Sequence, residues 1–355
     1  MFDTFKNRLE ITGVLTTITA LRISAGRSTE PIGTDLPVIK DAFGRPLIPG
    51  SSFKGALRSR LESFLRGILG SDRKLVANPA IEEEWSLKAS EAKALKKLGL
   101  DQLIIFRRAR EIEDFAVLSI EILVERIHDS KRTDHIKPED VMSQSELIEL
   151  KKKLLSEKKY TVDCMLTEAI VNYTDLPSLL FGSPWLASKF QVRDLTVLPD
   201  NWFGQYQERD GVAIDRDTET AADGKLYDFQ VVPAGTPFEF RVVVENAEEW
   251  ELGLLMIGLH QFETEQIPLG GGRSRGLGVV KLEINNIWWF DYPENEPEQL
   301  ITYLKELVQD RKDRYLLRQE TIKAHRDDWI EKLIEKLRQV SVKTTANHTS
   351  IHQEA

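Results

Sequence analysis

Apolar residues recur along this chain with two periods, and the switches between them mark out its elements. Leu9 to Arg22, LEITGVLTTITALR, is rich in Ile, Thr, Val and Leu with partial alternation, which predicts a long first strand ending at Ser24-Ala25-Gly26. The period then lengthens. Phe53, Ala56, Leu57, Leu61, Phe64, Leu65 and Ile68 return at three- and four-residue steps, so an amphipathic helix is expected after the Pro49-Gly50 turn, with Ser51 or Ser52 as its hydroxyl cap. Ser188 to Val197 reads as a second strand, and Gly211 to Gly235 as a protruding hairpin with turn formers from Thr218 to Gly224. Phe238, Phe240, Val242 and Val244 alternate with Glu239, Arg241 and Glu245, the pattern of a half-buried strand. A helix over about Glu248 to Phe262 and a strand from Val279 to Ile287 complete the order β, α, β, β, α, β. That order predicts an α+β, ferredoxin-like (RRM-like) core, a sheet backed by two helices and a familiar RNA platform. Beyond Trp288-Trp289-Phe290, Pro297 to Val340 carries two helical stripes, and Ser341 to Ala355 is polar and expected to be disordered.

Composition narrows the classes. With 355 residues, 41% of them hydrophobic, the chain can bury one large core or two modest ones. No apolar run approaches the roughly 20 residues needed to span a bilayer, and MFDTFKNRLE lacks the apolar segment of a signal peptide, so the expectation is a cytoplasmic protein with no membrane partner. The single cysteine, Cys164, excludes an internal disulfide and a multi-Cys zinc site, and Tyr160-x-Val162-x-Cys164 reads as an apolar face. A net charge of −9 argues against a free-standing nucleic-acid binder. An assembly subunit escapes that objection, because it can keep one basic stripe and turn acidic surfaces elsewhere. From Lys40 to Lys74 there are eight Lys/Arg against three Asp/Glu, so the positive charge is concentrated.

Three stretches carry candidate chemistry. At the helix entrance, Lys54 and Arg58 share a face one turn apart beside unpaired amides, an arrangement suited to phosphate. Upstream, Asp35 precedes Leu36-Pro37 in a basic neighbourhood, where an ionised carboxylate could hold a metal or orient a hydroxyl; the alternative is an Asx-turn to its own backbone. Downstream, Gly270-Gly271-Gly272-Arg273-Ser274-Arg275 lets the backbone approach a ligand closely and adds two cations, and a strand follows where a dinucleotide fingerprint needs a helix. Gly50 to Lys54 fails the G-x-x-x-x-G-K-[ST] pattern of a phosphate loop. His128 and His135, in HDSKRTDH, match no standard metal spacing and read as a solvated loop. The hairpin from Glu208 to Asp228 holds seven acids against three bases, so an apolar wedge or a subunit contact suits it better than phosphate binding.

Gly33-x-Asp35-x-Pro37-Val38 followed by Gly44-x-Pro46-x-Ile48-Pro49-Gly50-Ser51-Ser52-x-Lys54-Gly55-x-x-Arg58 closely resembles the signature of the RAMP superfamily. Within it, the chain looks most like the backbone subunits of type III CRISPR effector complexes, which cradle a guide RNA and cut the paired target. Phe181-Gly182 before a strand ending in Arg193-Asp194, the hairpin as a thumb, and the glycine-rich loop add to the likeness, which covers residues 9 to 70 and 176 to 285. The resemblance implies a core over 1–71 and 173–290; because compact members of the family pass from the first helix to the next motif in far fewer residues, 72–172, charged and mostly helical in pattern, reads as an inserted subdomain, and the apolar stripes make 291–340 a helical C-terminal extension. It implies an endoribonuclease in which Asp35 is catalytic and holds a divalent cation, Mg2+ by expectation; no zinc is expected because the chain has one cysteine, although some relatives in the family carry zinc. It also implies that Lys54, Arg58, Arg66, Arg273 and Arg275, Ser274, and the amides of Ser51, Ser52 and Gly270 to Gly272 grip guide RNA. The implied partners are guide CRISPR RNA, target RNA, other RAMP subunits and the large polymerase-like subunit. Two alternatives stay open: a structural subunit that binds guide RNA without cutting, and a stand-alone precursor-RNA endoribonuclease, which typically needs a histidine base.

Overall fold

The alternating segments become strands because each can bury one face, and the helical stripes then cover that face. The computed structural model describes residues 5–24, 26, 35–70, 75–81, 84–85, 170–171, 174–214, 221–292, 296–309 and 311–351. In chain order the first elements are β1 (Asn7–Thr17), β2 (Leu47–Ile48), α1 (Gly50–Leu69), α2 (Leu176–Phe181), β3 (Phe190–Val192) and β4 (Leu195–Thr196). There follow β5 (Gln207–Ile214), β6 (Ala221–Val231), β7 (Pro237–Glu245), α3 (Glu249–Glu263), β8 (Val280–Asp291), α4 (Pro297–Val308) and α5 (Gln319–Ile351). Two compact units contain them, one of Met1–Leu69 with Lys189–Ala355 and one of Gly70–Ser188.

In the first unit a four-stranded sheet has the order β3-β7-β1-β8, every neighbour antiparallel. β5 and β6 pair as a separate hairpin, and β2 pairs with β4. One sheet face buries Leu9, Ile11 and Leu15 of β1 with Phe238, Phe240, Val242 and Val244 of β7. α1 and α3 cover it through Phe53, whose ring lies 5.1 Å from Phe240 and 4.5 Å from Phe262. Each such buried side chain contributes on the order of 1.5–3 kcal/mol. Gly258 of α3 allows the close approach, since a Cβ there would meet Leu57 at 2.5 Å. Trp329 of α5 then packs over Gly253 and edge-on to Trp289 at 5.3 Å.

The opposite face, the expected RNA platform, is partly covered. Phe290 stacks on Tyr303 of α4 at 3.9 Å, and Lys312 lies 4.1 Å over Trp288, so these rings are engaged within the chain. Several boundaries shift for local reasons. β1 stops at Thr17, whose hydroxyl donates to the Pro233 carbonyl, short of the expected Arg22. The expected Ser188–Val197 strand breaks into β3 and β4, because Asp194 turns away to the helix entrance. β8 runs on through Trp288, Trp289 and Phe290, and α5 runs to Ile351, into the stretch expected to be a disordered tail. In the second unit Leu176 donates its amide to the Leu75 carbonyl at 3.1 Å, and α2 ends at Gly182 with φ +86. Leu179-Leu180-Phe181-Gly182 thus lies in this unit. The expectations between residues 86 and 169, including Cys164, His128 and His135, fall outside the described residues. Among those described, no helix is long and apolar enough to cross a membrane.

Candidate nucleic-acid interface

The segment that holds Asp35 is an extra strand-like addition to the hairpin base. Leu36 lies parallel to Phe229, donating its amide to the Asp228 carbonyl at 3.2 Å and accepting from the Gln230 amide at 3.1 Å. Asp35 Oδ2 accepts the Asp228 amide at 3.4 Å. An Asx-turn to the second residue on is closed to it, because Pro37 has no N–H. Asp35 is half-buried, and its carboxylate lies close enough to that of Asp228 to act on it. Asp228 faces Asp210 across the hairpin, and its carboxyl is pushed up by its own desolvation, then by Asp210, Asp35 and Glu208.

On the other side of the same strand the environment is positive. Side chains alternate across a strand, so Tyr227 and Phe229 leave β6 opposite to Asp228. The Arg22 guanidinium lies 4.6 Å over the Phe229 ring, and Arg275 donates to the Tyr227 hydroxyl at 3.2 Å. That bond, with the charges of Arg275 and Arg22, holds the Tyr227 phenol below its usual range. The glycine-rich loop is pinned to the chain beside Arg22. Gly271 donates to the Arg22 carbonyl at 2.8 Å and Gly278 to the Ala20 carbonyl at 2.9 Å. Gly270 has φ +73, and a Cβ there would sit 2.1 Å from the Arg22 oxygen. Gly272 and Gly276, both left-handed, bracket a 3-10 turn that leaves Arg273, Ser274 and Arg275 exposed.

The helix entrance is built differently from expectation. α1 starts at Gly50, where a Cβ would meet the Val192 carbonyl at 2.7 Å, and the Gly50 amide donates to Asp194 Oδ1 at 2.8 Å. Ser51 and Ser52 therefore lie inside the first turn, and the Ser52 amide donates to the Pro49 carbonyl at 2.9 Å. Along the helix, Glu62 is buried and accepts from Arg58 at 2.7 Å and from Arg66 at 3.2 Å. Lys54 is half-buried, and desolvation together with Arg58 pushes its ammonium down.

A family model described as the RAMP superfamily matches residues 14–281, most of the chain. The chain belongs to the RAMP superfamily. Within this superfamily it is 48% identical over 60 residues to the CRISPR system Cms endoribonuclease Csm3 of Methanocaldococcus jannaschii, which is 17% of this chain and 24% of that protein. The protein of the same name from Mycobacterium tuberculosis is 48% identical over 56 residues, 15% of this chain and 24% of the relative. That from Enterococcus italicus is 41% identical over 66 residues, 18% of this chain and 31% of the relative. The chain thus spans 24% to 31% of the length of these curated relatives.

Of the positions predicted for this RAMP chain, the structure brings Asp35 and the loop from Gly270 to Arg275 to one short stretch, Tyr227-Asp228-Phe229. It does not bring Arg58 and Arg66 there, because Glu62 draws both along α1. The amides of Ser52 and Gly271 are engaged in backbone bonds, and Asp194 puts a carboxylate at the helix entrance that had read as an anion site. Sequence reasoning missed Arg22, Tyr227 and Asp194 as site residues. Only the alternation of Tyr227 with Phe229 and the Arg193-Asp194 dipeptide hinted at them. Glu62 was readable, since it stands four residues from each arginine. Among the described residues no three His, Cys, Asp or Glu gather as a metal-ligand set. His260 is exposed beside Glu263, 3.1 Å away.

Proposed function

We propose that this RAMP chain is a backbone subunit of a type III CRISPR effector complex that binds guide RNA and cleaves complementary target RNA at Asp35. The observation that carries the reading is the seating of the Asp35 carboxylate on Asp228 at the hairpin base, while Arg275 of an exposed, cationic glycine-rich loop holds the adjacent Tyr227. The named activity of the three Csm3 relatives supports it. The strand order and the two covering helices support a ferredoxin-like core. The partners on this reading are guide CRISPR RNA, target RNA, other RAMP subunits and the large polymerase-like subunit, in the cytoplasm.

Arg273, Arg275 and Lys54 then grip guide phosphates, which fixes register without reading sequence. The hairpin opens the duplex beside Asp35, freeing one target nucleotide. Asp35 accepts the proton of that nucleotide's 2′-hydroxyl. The 2′-oxygen bonds to the adjacent phosphorus, the P–O5′ bond breaks, and the leaving 5′-oxygen takes a proton from water, so that a 2′,3′-cyclic phosphate and a 5′-hydroxyl result. DNA lacks the nucleophile and is not cut. One carboxylate with substrate phosphate oxygens is an ordinary Mg2+ donor set, so Asp35 would hold such an ion, which supplies charge against the phosphate in the transition state. The crowded acids Asp210 and Asp228 favour a cation there.

The test is Asp35→Ala in the co-expressed complex. Guide RNA is expected to copurify unchanged, while cutting at the position this subunit serves falls at least about 100-fold, the scale of a lost general base. Undiminished cutting there would remove the assignment.

A further inference from the structure

An exposed aromatic surface stands apart from every contact assigned above. Residues 41 to 45 form a tight turn because Asp41 Oδ1 accepts the amides of Phe43 and Arg45, both at 2.9 Å, with Gly44 left-handed at φ +74. The turn lifts Phe43 into solvent, 83% exposed. Facing it, the Tyr206 hydroxyl donates to the Gly44 carbonyl at 2.7 Å, Tyr206 packs on Trp202 at 4.9 Å, and Trp202 packs on Phe203 at 5.4 Å. Phe203 is itself 63% exposed. Cations are threaded between the rings: Lys40 Nζ lies 4.4 Å over Tyr206, and the Arg45 guanidinium lies 5.1 Å from Phe43 while bonded to Asp41. Burial and Asp41 push the Tyr206 phenol up to about 12, so the donor that ties the turn to the segment before β5 stays protonated.

We propose that Phe43 and Phe203 are stacking platforms for unpaired bases of single-stranded RNA, with Lys40 and Arg45 placed for the adjoining phosphates. Flat rings paired with cations are the means by which proteins hold single strands without reading sequence, whereas an apolar protein partner has no use for the charges. The position fits a strand leaving the proposed cut. Tyr206 directly precedes β5, in which Gln207 pairs with Val231 and Asp210 with Asp228. Four residue steps of extended chain, about 13 Å, therefore separate Tyr206 from the pair that seats Asp35. Stacked bases rise about 3.4 Å each, so roughly four nucleotides bridge the gap. The inference rests on the proposed function for the identity of the strand, the unpaired RNA beside the cut.

The experiment measures binding of the full-length protein to a labelled 12-nucleotide oligouridine and to a blunt RNA duplex of equal length, over a salt series. The double variant Phe43→Leu, Phe203→Leu keeps the apolar bulk and removes the π faces. It is expected to bind the single strand about tenfold or more weakly, with duplex affinity unchanged. The slope of log affinity against log salt should also be unchanged, because stacking releases no counterions. Phe43→Trp should restore binding, and 4-thiouridine in the oligomer should crosslink to residues 40–45 or 202–206. Single-strand affinity insensitive to the leucines overturns the proposal, as does equal loss for strand and duplex. Leucines that leave RNA binding intact and change the size of the assembly would assign the patch to a protein neighbour, and also overturn it. Failure of the Asp35 reading is separable: cutting that survives Asp35→Ala leaves the oligouridine result standing, and Asp35-dependent cutting with no leucine effect removes the platform alone.

Discussion

Glu62 illustrates how one buried side chain redirects a functional expectation. Its carboxylate takes a bond from Arg58 and another from Arg66, and it is only 6% exposed. Glu62→Ala would leave both guanidinium groups without this partner in a partly desolvated position. A loss of about 2–4 kcal/mol is expected, read as a lower urea midpoint at unchanged slope. The i±4 spacing was legible in the sequence, but the burial of Glu62 between the two arginines was not, because spacing carries no information on burial. Asp194 makes the same point. It stood in the quoted Arg-Asp dipeptide, yet its bond to the Gly50 amide spans 144 positions. Tyr227 and Arg22 gain their positions only when β6 meets the segment after β1.

Among the elements, the glycine-rich loop is an exposed turn held to the chain beside Arg22. Gly270 and Gly278 are required by close backbone approach, to Arg22 and Leu269. Gly270→Ala places a Cβ on the Arg22 carbonyl and forces a non-glycine residue to φ +73. A destabilisation of roughly 1–3 kcal/mol is expected, with loss of protection in hydrogen exchange confined to residues 20–23 and 269–278. Gly271→Ala meets nothing within 4 Å and serves as the contrasting variant. Strand and helix types were legible because β7 and α1 keep clean periods. Boundaries were less so where tertiary bonds override pattern, as at Thr17 and Asp194. The capping serines failed because the helix starts one residue earlier, at a glycine that alone fits against β3.

At the scale of the whole first unit, Glu10 fastens the sheet's second face to the C-terminal region. It accepts from Arg241 of β7 at 2.5 Å and from Lys312 at 3.2 Å. Burial pushes its carboxyl up, but the bonds and charges of Lys312 and Arg241 outweigh that and hold it below the usual range. A depressed folded value means stability that is present above the ordinary glutamate pKa of about 4.3 and is lost as pH falls through the lower folded value. Glu10→Gln should therefore flatten the decline in stability below about pH 4, relative to the unaltered chain, in denaturation followed across an acid series. A slope identical in both proteins would show that Glu10 does not carry this linkage.

Periodicity, turn residues and one dense motif determined the mixed class of the fold, the main strands and helices, the hairpin, and membership of the superfamily. These are local signals, and a chain displays them in order. Only the tertiary structure decided which charges are available. Glu62, Asp194, Glu10 and the aromatic stack around Tyr303 lie far in sequence from most of the groups they occupy, or act through burial. Both are properties of packing, and no periodic reading of one strand or one helix contains them.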